Sequence, residues 1–340
     1  MFALMQSTRG EALHLAVDAA TGLRAVIAIH NSDRGPALGG CRYLAYPDDE
    51  SALADAIRLA RGMSYKAALA GLPLGGGKAV IIRSAHVADR AALFEAFGRF
   101  VDSLDGRYIT AIESGTSPAD MDCIAQTTRH VTSTTASGDP SLHTALGVFA
   151  GIRATAMARL GSDNLEGLRI AVQGLGSVGF ALAEHLHAAG AELLVSDVDA
   201  GKVRLAMEQM GAHPVASEAL LATPCDIFAP CATGSVLTSQ SVAQLRCAAV
   251  AGAANTQLSN LQVADQLESR GILYAPDYVI NAGGLIHVAL THAGEPLTAI
   301  TSHLANIAKR LTEIFGHAQA EKRSPAAVAE MLAERLIYGR

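Results

Sequence analysis

Two lysines stand 12 residues apart in GMSYKAALAGLPLGGGKAVII (62–82), a stretch with no other charge, in a chain with only five lysines among its 26 Lys and Arg residues. Solvated faces here use arginine. An ammonium can be desolvated and its pKa moved toward neutrality, which a guanidinium resists, so Lys66 and Lys78 suit proton transfer or the clamping of a compact carboxylate. The competing reading is that both stems run along apolar surface and carry their charges to water. Three glycines (75–77) directly before Lys78 favour chemistry, because they admit a ligand close to the backbone. Glu113, which ends YITAI and precedes Ser114-Gly115-Thr116, is the third candidate. Ligand groups in open parallel sheets stand at the C-terminal ends of strands, where a carboxylate can act as general acid or base. It could equally be an N-terminal charge for a helix starting near Ser117-Pro118.

A second constellation is Gly174-Leu175-Gly176-Ser177-Val178-Gly179, which follows the apolar run RIAVQ and opens a helical pattern. Gly174 makes a tight turn, Gly176 lets backbone approach a pyrophosphate, and Gly179 lets helix and strand pack closely, while the helix start at Ser177 and Val178 offers N–H groups to phosphate. Asp197, 18 residues beyond Gly179 at the end of the next strand, suits an adenosine ribose and would repel a 2′-phosphate, which favours NAD over NADP. The alternative is a plain glycine turn in an α/β domain. Asn255 and Asn281 follow late strands and carry amides able to bridge a carboxamide or a carboxylate, although loop asparagines also form turns. His143 and His287 are lone imidazoles, read as structural or pocket-lining. No metal signature, Walker loop or Ser-His-Asp order is present, so no metal is expected.

These residues need two α/β domains to position them. Alternating segments at 13–17 and 23–30 predict a β-hairpin across Ala19-Ala20-Thr21-Gly22. GPALGGCR (35–42) reads as a loop, and 48–62 as a helix ended by Gly62. Strand 79–82, helix 90–104 and strand 108–112 then imply a mostly parallel, covered sheet. After a helix near 145–160, strand 169–173, helix 178–189, strand 193–197 and helix 202–210 form a Rossmann unit. The fold class is therefore α/β: an N-terminal α/β domain plus a Rossmann dinucleotide-binding domain, with a cleft between them. The expected boundaries are 1–138 for substrate binding, catalysis and oligomerisation, 139–300 for NAD, and 301–340 for C-terminal helices packing back on the first domain. Ser133 to Ser141 is the linker candidate.

Composition narrows the partners. A net charge of -6 lacks the basic excess that phosphate-backbone binding needs, which excludes nucleic acid. The longest uncharged stretches are broken by Gly, Pro, Ser and Thr, which argues against a membrane span, and the N-terminal residues lack a secretory pattern. Five cysteines without a Cys-x-x-Cys pair fit a reducing cytoplasm.

Taken in order along nearly the whole chain, GPALGGCR, RGMSYKAALAGL, GGGKAVII, the Asp120-Met121-Asp122 run after Glu113, GLGSVG and APDYVINAGG resemble the Glu/Leu/Phe/Val dehydrogenase family, nearest its leucine dehydrogenases. The resemblance implies a homo-oligomer that converts a small-molecule L-amino acid reversibly to its 2-oxo acid and ammonia with NAD. It implies that Lys66 holds the substrate carboxylate, helped by the Gly40 N–H and Asn255. It further implies that Lys78 activates water, with Glu113 as the second proton-handling group, and that Thr144 and Asn281 meet the nicotinamide end. By motif position Leu38, Met63, Ala111, Leu285 and Val288 line the side-chain pocket, all apolar, which suits leucine, valine or isoleucine. An aromatic substrate, phenylalanine or tryptophan, is the alternative. The family has aspartate where this chain has Glu113, and commonly asparagine where it has Thr256. The first difference also motivates a catalytically weakened NAD- or amino-acid-binding homologue. A hydroxy-acid dehydrogenase sharing only the nucleotide fold is a third reading.

Overall fold

A computed structural model describes residues 2–84, 89–232 and 234–339. The chain divides into two compact units: Met1–Asp139 with Val288–Pro296 and Ala333–Arg340, and Pro140–His287 with Leu297–Leu332. Among the described residues no helix is long and apolar enough to cross a membrane.

The first unit contains α1 (Phe2–Thr8), β1 (Ala12–Asp18), β2 (Leu23–Asn31), β3 (Ala37–Leu44), α2 (Asp49–Leu69), β4 (Gly75–Ile82), α3 (Arg90–Asp102), β5 (Tyr108–Ile112) and α4 (Pro118–Ala125). Its sheet runs β1-β2-β4-β3-β5, with β1 and β2 as an antiparallel hairpin, β2 antiparallel to β4, and β3 parallel to both β4 and β5. Alternation along the strands gives the sheet two covered faces. Ile27, Ile29, Cys41, Tyr43, Ala79 and Ile81 face a core with Phe94 and Phe97 of α3 and Ile124 of α4. Val26, Ala28 and Val80 face Ala52, Ala56, Ile57 and Ala60 of α2.

Three expectations are corrected here. GPALGGCR is no loop: residues 37–44 form β3, hydrogen-bonded between β4 and β5. Its glycines mimic loop composition but mark close approach, since a Cβ on Gly39 would lie 1.7 Å from the Gly77 carbonyl oxygen. The glycines at 75–77 likewise make room for protein: a Cβ at Gly76 would meet the Ser64 nitrogen at 2.0 Å, and one at Gly77 the Tyr108 ring at 2.8 Å. Nor does Gly62 end α2, which continues to Leu69 and turns at Ala70 and Gly71, where φ is +73°. Gly62 meets nothing that forces a stop, because the ladder continues through packed Ser64, Tyr65, Ala67 and Ala68. Asp48 caps the helix start, its carboxylate accepting from the Ser51 N–H at 2.7 Å.

The second unit begins with α5 (Ser141–Leu160), then β6 (Arg169–Gln173), α6 (Ser177–Ala188), β7 (Glu192–Ser196), α7 (Ala200–Met210), β8 (His213–Pro214), α8 (Ser217–Leu220), β9 (Ile227–Pro230), α9 (Ser239–Gln244), β10 (Ala249–Val250), α10 (Gln262–Ser269), β11 (Leu273–Tyr274) and α11 (Asp277–Ile280). Three further helices follow: α12 (Gly283–His292), α13 (Leu297–Glu321) and α14 (Pro325–Tyr338). All pairs of its six-stranded sheet, order β11-β10-β9-β6-β7-β8, are parallel, and β6 passes through the Gly174 turn directly into α6. That is a Rossmann arrangement.

Gly62 sits exposed inside α2, where an added methyl group would have nothing within 4 Å, whereas Gly39 has no room for one. Gly62→Ala is expected to raise stability by about 0.5–1 kcal/mol. Gly39→Ala is expected to lower it by about 1–3 kcal/mol through overpacking. Denaturant titration of both variants checks the pair.

Candidate active site

The face of the first sheet that meets α2 gathers most of the candidates of that unit. Lys78 lies on β4 beside Ala28 of β2, with only 2% of its surface exposed, so it does not reach out to water. Its Nζ donates to Oε2 of Glu113, one residue past β5. Gly40 of β3 pairs with Ala111 and sits beside this ion pair: a Cβ there would lie 2.7 Å from Glu113 Cβ and 3.3 Å from Lys78 Nζ. Any side chain at 40 would displace the ion pair.

Glu113 is held from several directions. Its Oε1 accepts from the Ser114 N–H and hydroxyl, both at 3.0 Å, and an Arg42 nitrogen lies 3.7 Å away. Burial by itself would push the carboxyl up, but Lys78, the Ser114 N–H and Arg42 together hold it well below the ordinary carboxylate range. Arg42 in turn donates to Asp55 at 2.7 Å, which also accepts from Tyr46 and Arg58. Nothing in the motifs points to this Arg42–Asp55 support. The signal that could have found it is strand alternation over 37–44, which puts Arg42 on the same face as Gly40. The helix expected near Ser117 does form, but its capping carboxylate is Asp120, bonded to Ser117 and to Arg90, and not Glu113.

Lys66 sits in the last turn of α2 and is half-buried. Two residues earlier, Ser64 shares a 2.8 Å hydrogen bond with His30 Nδ1, and His30 Nε2 faces the Thr8 carbonyl at 2.9 Å and the Tyr338 hydroxyl at 3.3 Å. Buried His30 therefore ties the end of α2 to β2, and burial lowers its pKa to about 4. Leu38 and Ala111 are buried on β3 and β5, Met63 is half-buried on α2, and Val288 is buried with its carbonyl accepting from Thr132.

In the second unit the three glycines are distinct in their surroundings. Gly174 takes φ +94°, and a Cβ there would crowd Ala232. Gly176 faces open space, with nothing within 4 Å of a Cβ, and Gly179 lies against the Gly174 carbonyl oxygen, 2.0 Å from such a carbon. No side chain caps the start of α6, so the N–H groups at exposed Ser177 and partly buried Val178 face a site with room for phosphate. Asp197 follows β7 and accepts from the Leu175 and Asp199 N–H groups at 2.6 and 2.8 Å. Burial would raise its pKa, but these donors and Lys202 lower it. A cavity of about 340 Å³ opens beside it, lined by Val198, Val203, Met207, Pro214 and Ala216, and also by Arg204.

Asn281 follows α11 and is 5% exposed; its Nδ2 donates to the Ala253 carbonyl and to Asn255 Oδ1, at 3.0 and 2.9 Å. Its Oδ1 is buried with no hydrogen-bond partner, a costly arrangement that an incoming donor would relieve. Thr144 stands beside Gly284, where an added Cβ would meet its hydroxyl at 2.7 Å. Leu285 is buried on α12, and Asn255 is exposed. Thr256 takes the left-handed φ of +52°, which strains a β-branched residue. His143 and His287 stack at 4.5 Å between ring centres. The uncrowded Gly176, the uncapped helix start and the unpaired Asn281 acceptor fit a dinucleotide.

A Rossmann unit joined to an α/β unit that buries a lysine–carboxylate pair has the plan of a dinucleotide-dependent dehydrogenase. Comparison with known proteins narrows this. Residues 11–130 match the family described as Glu/Leu/Phe/Val dehydrogenase, dimerisation domain, and residues 198–331 match Glutamate/Leucine/Phenylalanine/Valine dehydrogenase. Leucine dehydrogenase of Geobacillus stearothermophilus is 44% identical, covering 99% of this chain and 93% of that enzyme. Valine dehydrogenase of Streptomyces virginiae is 44% identical over 98% of this chain and 95% of its own. The crystal structure of L-tryptophan dehydrogenase from Nostoc punctiforme superposes with a TM-score of 0.90 at 41% identity, covering 100% of this chain and 99% of that one. The chain belongs to the Glu/Leu/Phe/Val dehydrogenase family and is an L-amino acid dehydrogenase.

The depressed pKa of His30 links this site to acid stability. The unfolded chain takes up the proton first as pH falls below about 6.5, and the folded chain only near 4, so stability drops across that window by about 3 kcal/mol. Urea unfolding of the protein and of His30→Gln between pH 7 and pH 4 is expected to show a shallower pH slope in the variant.

Proposed function

We propose that this chain catalyses the reversible, NAD-dependent oxidative deamination of a branched-chain L-amino acid to its 2-oxo acid and ammonia. The observation that carries the proposal is the buried Lys78–Glu113 pair beside Gly40. Bound dinucleotide supplies the acceptor for the hydride that leaves Cα, and the turn at Gly174, Gly176 and Gly179 with Ser177, Val178, Asp197, Thr144 and Asn281 would hold it. The substrate left behind is an iminium. Water must add to its carbon and lose a proton before ammonia can leave. Lys78 must be a neutral amine to take that proton, so the ammonium of the resting ion pair first gives its own proton to water entering with the substrate, and Glu113 steadies the ammonium formed again by the transfer. A carboxyl held so low is a poor proton carrier, so we assign Glu113 to aiming and stabilising Lys78. Lys66 receives the substrate carboxylate as a point charge, with the Gly40 backbone and Asn255 as further polar contacts.

Leu38, Met63, Ala111, Leu285 and Val288, all apolar, would receive an aliphatic side chain. Tryptophan is the second reading, favoured by the close match to the tryptophan dehydrogenase structure. Pockets separate hydrocarbon side chains differing by a methylene by only about 1–3 kcal/mol. Asp197 favours NAD, although Arg204 on the same cavity could meet a 2′-phosphate, so both dinucleotides belong in the test. The match of residues 11–130 to a dimerisation domain supports a homo-oligomer.

Purified protein given NAD or NADP with leucine, valine, isoleucine, phenylalanine, tryptophan or lactate is expected to form most reduced dinucleotide with NAD and a branched-chain amino acid. Reduction of the 2-oxo acid is expected to require ammonia. Turnover of lactate alone would support a hydroxy-acid dehydrogenase. No product with any amino acid, together with silence in Glu113→Asp, would leave only a binding role. A Glu113→Asp rate well above the unsubstituted protein's would mark a weakened enzyme. Lys66→Ala is expected to raise KM more than it lowers kcat.

A further inference from the structure

Two half-buried thiols, Cys225 and Cys247, stand at the end of the second sheet opposite the Gly174 turn. Each lies two residues before its strand, β9 or β10, and the register that pairs Ile227 with Ala249 pairs the two cysteines when extended backward. The backbone supports that extension: the Cys225 N–H donates to the Arg246 carbonyl at 3.1 Å, and the Ala248 N–H to the Asp226 carbonyl at 3.0 Å. Neighbouring strands lie about 4.8 Å apart, inside the ~4.4–6.8 Å range of Cα separations that a disulfide spans. Both side chains pack on the same apolar cluster, around Phe228, Val242 and Leu267, so they share one face of the sheet. The two thiols are close enough to perturb each other through a side-chain hydrogen bond.

We propose that Cys225 and Cys247 form a redox-modification site that closes to an intramolecular disulfide by exchange with a small-molecule disulfide. The side-chain hydrogen bond between the two thiols lowers the pKa of Cys225 and raises that of Cys247, and the exchange takes Cys225 as the nucleophile. Its thiolate attacks one sulfur of the incoming disulfide, and the expelled thiolate takes up the proton that Cys225 lost. Cys247 then gives up its proton, attacks the Cys225 sulfur of the mixed disulfide and expels the second small thiol. Two cysteine thiols are oxidised, one external disulfide is reduced to two thiols, and the protons balance.

Full-length protein incubated with glutathione disulfide tests the site by thiol counting, intact mass and peptide mapping. The expected result is loss of two of the five thiols, a mass lower by two hydrogens, one peptide joining 225 to 247, and reversal by dithiothreitol. Cys247→Ser is expected to retain glutathione on Cys225, and Cys225→Ser to leave Cys247 unmodified. An unchanged thiol count, a lasting glutathione adduct on either residue of the unsubstituted protein, or a linkage of either to Cys41, Cys123 or Cys231 would overturn the proposal.

Discussion

Lys78 carries an ammonium group into a sheet face from which water is almost wholly excluded, and Glu113 is the group that makes this tolerable. Desolvating an ion costs several kcal/mol, offset here by Coulomb attraction and by the donors from Ser114 that occupy the other carboxylate oxygen. Removing either partner alone would strand the other, at a cost on the order of 3–5 kcal/mol. Much of the first unit follows from that demand. Gly40 is bare because a side chain would enter the pair, β3 runs between β4 and β5 to bring 40, 78 and 113 together, and Arg42, held by Asp55, sets its guanidinium 3.7 Å from the other oxygen of Glu113.

The second unit meets a different demand, the approach of phosphate to backbone. Its three glycines divide the work: crowding and a left-handed φ at 174, open space at 176, and tight helix–strand contact at 179. Asp197 braces the same turn through the Leu175 N–H, so it has a structural part to play before any ribose arrives. Asn281, tied down through its amide nitrogen, keeps its oxygen unpaired.

How much of this is legible in the sequence depends on the type of signal. Periodic apolar runs flanked by turn residues reveal the hairpin, β5, α5 and the alternation from β6 to α7, with ends shifted by a few residues. The glycine turn is legible because each glycine has its own steric task. β3 is not, because Gly39 and Gly40 look like loop composition, and only the neighbouring strands reveal that they are close-approach points. The end of α2 is misplaced for the opposite reason: Gly62 carries a stop signal that the packing of Ser64 to Leu69 overrides. Arg42, Asp55 and His30 act through partners distant in sequence: alternation would place Arg42 beside Gly40 only once 37–44 is read as a strand, and a single chain read without its strand pairing offers no sign of Asp55 or His30.

Chemical rescue of Lys78→Ala tests the central claim most directly. If Lys78 takes the proton from attacking water, the variant should bind dinucleotide normally, lose roughly 10²–10⁴-fold in kcat, and recover part of that rate as small primary amines are added. Full turnover in the variant, or a loss of rate that no amine restores while dinucleotide binding and folding stay intact, would contradict the account.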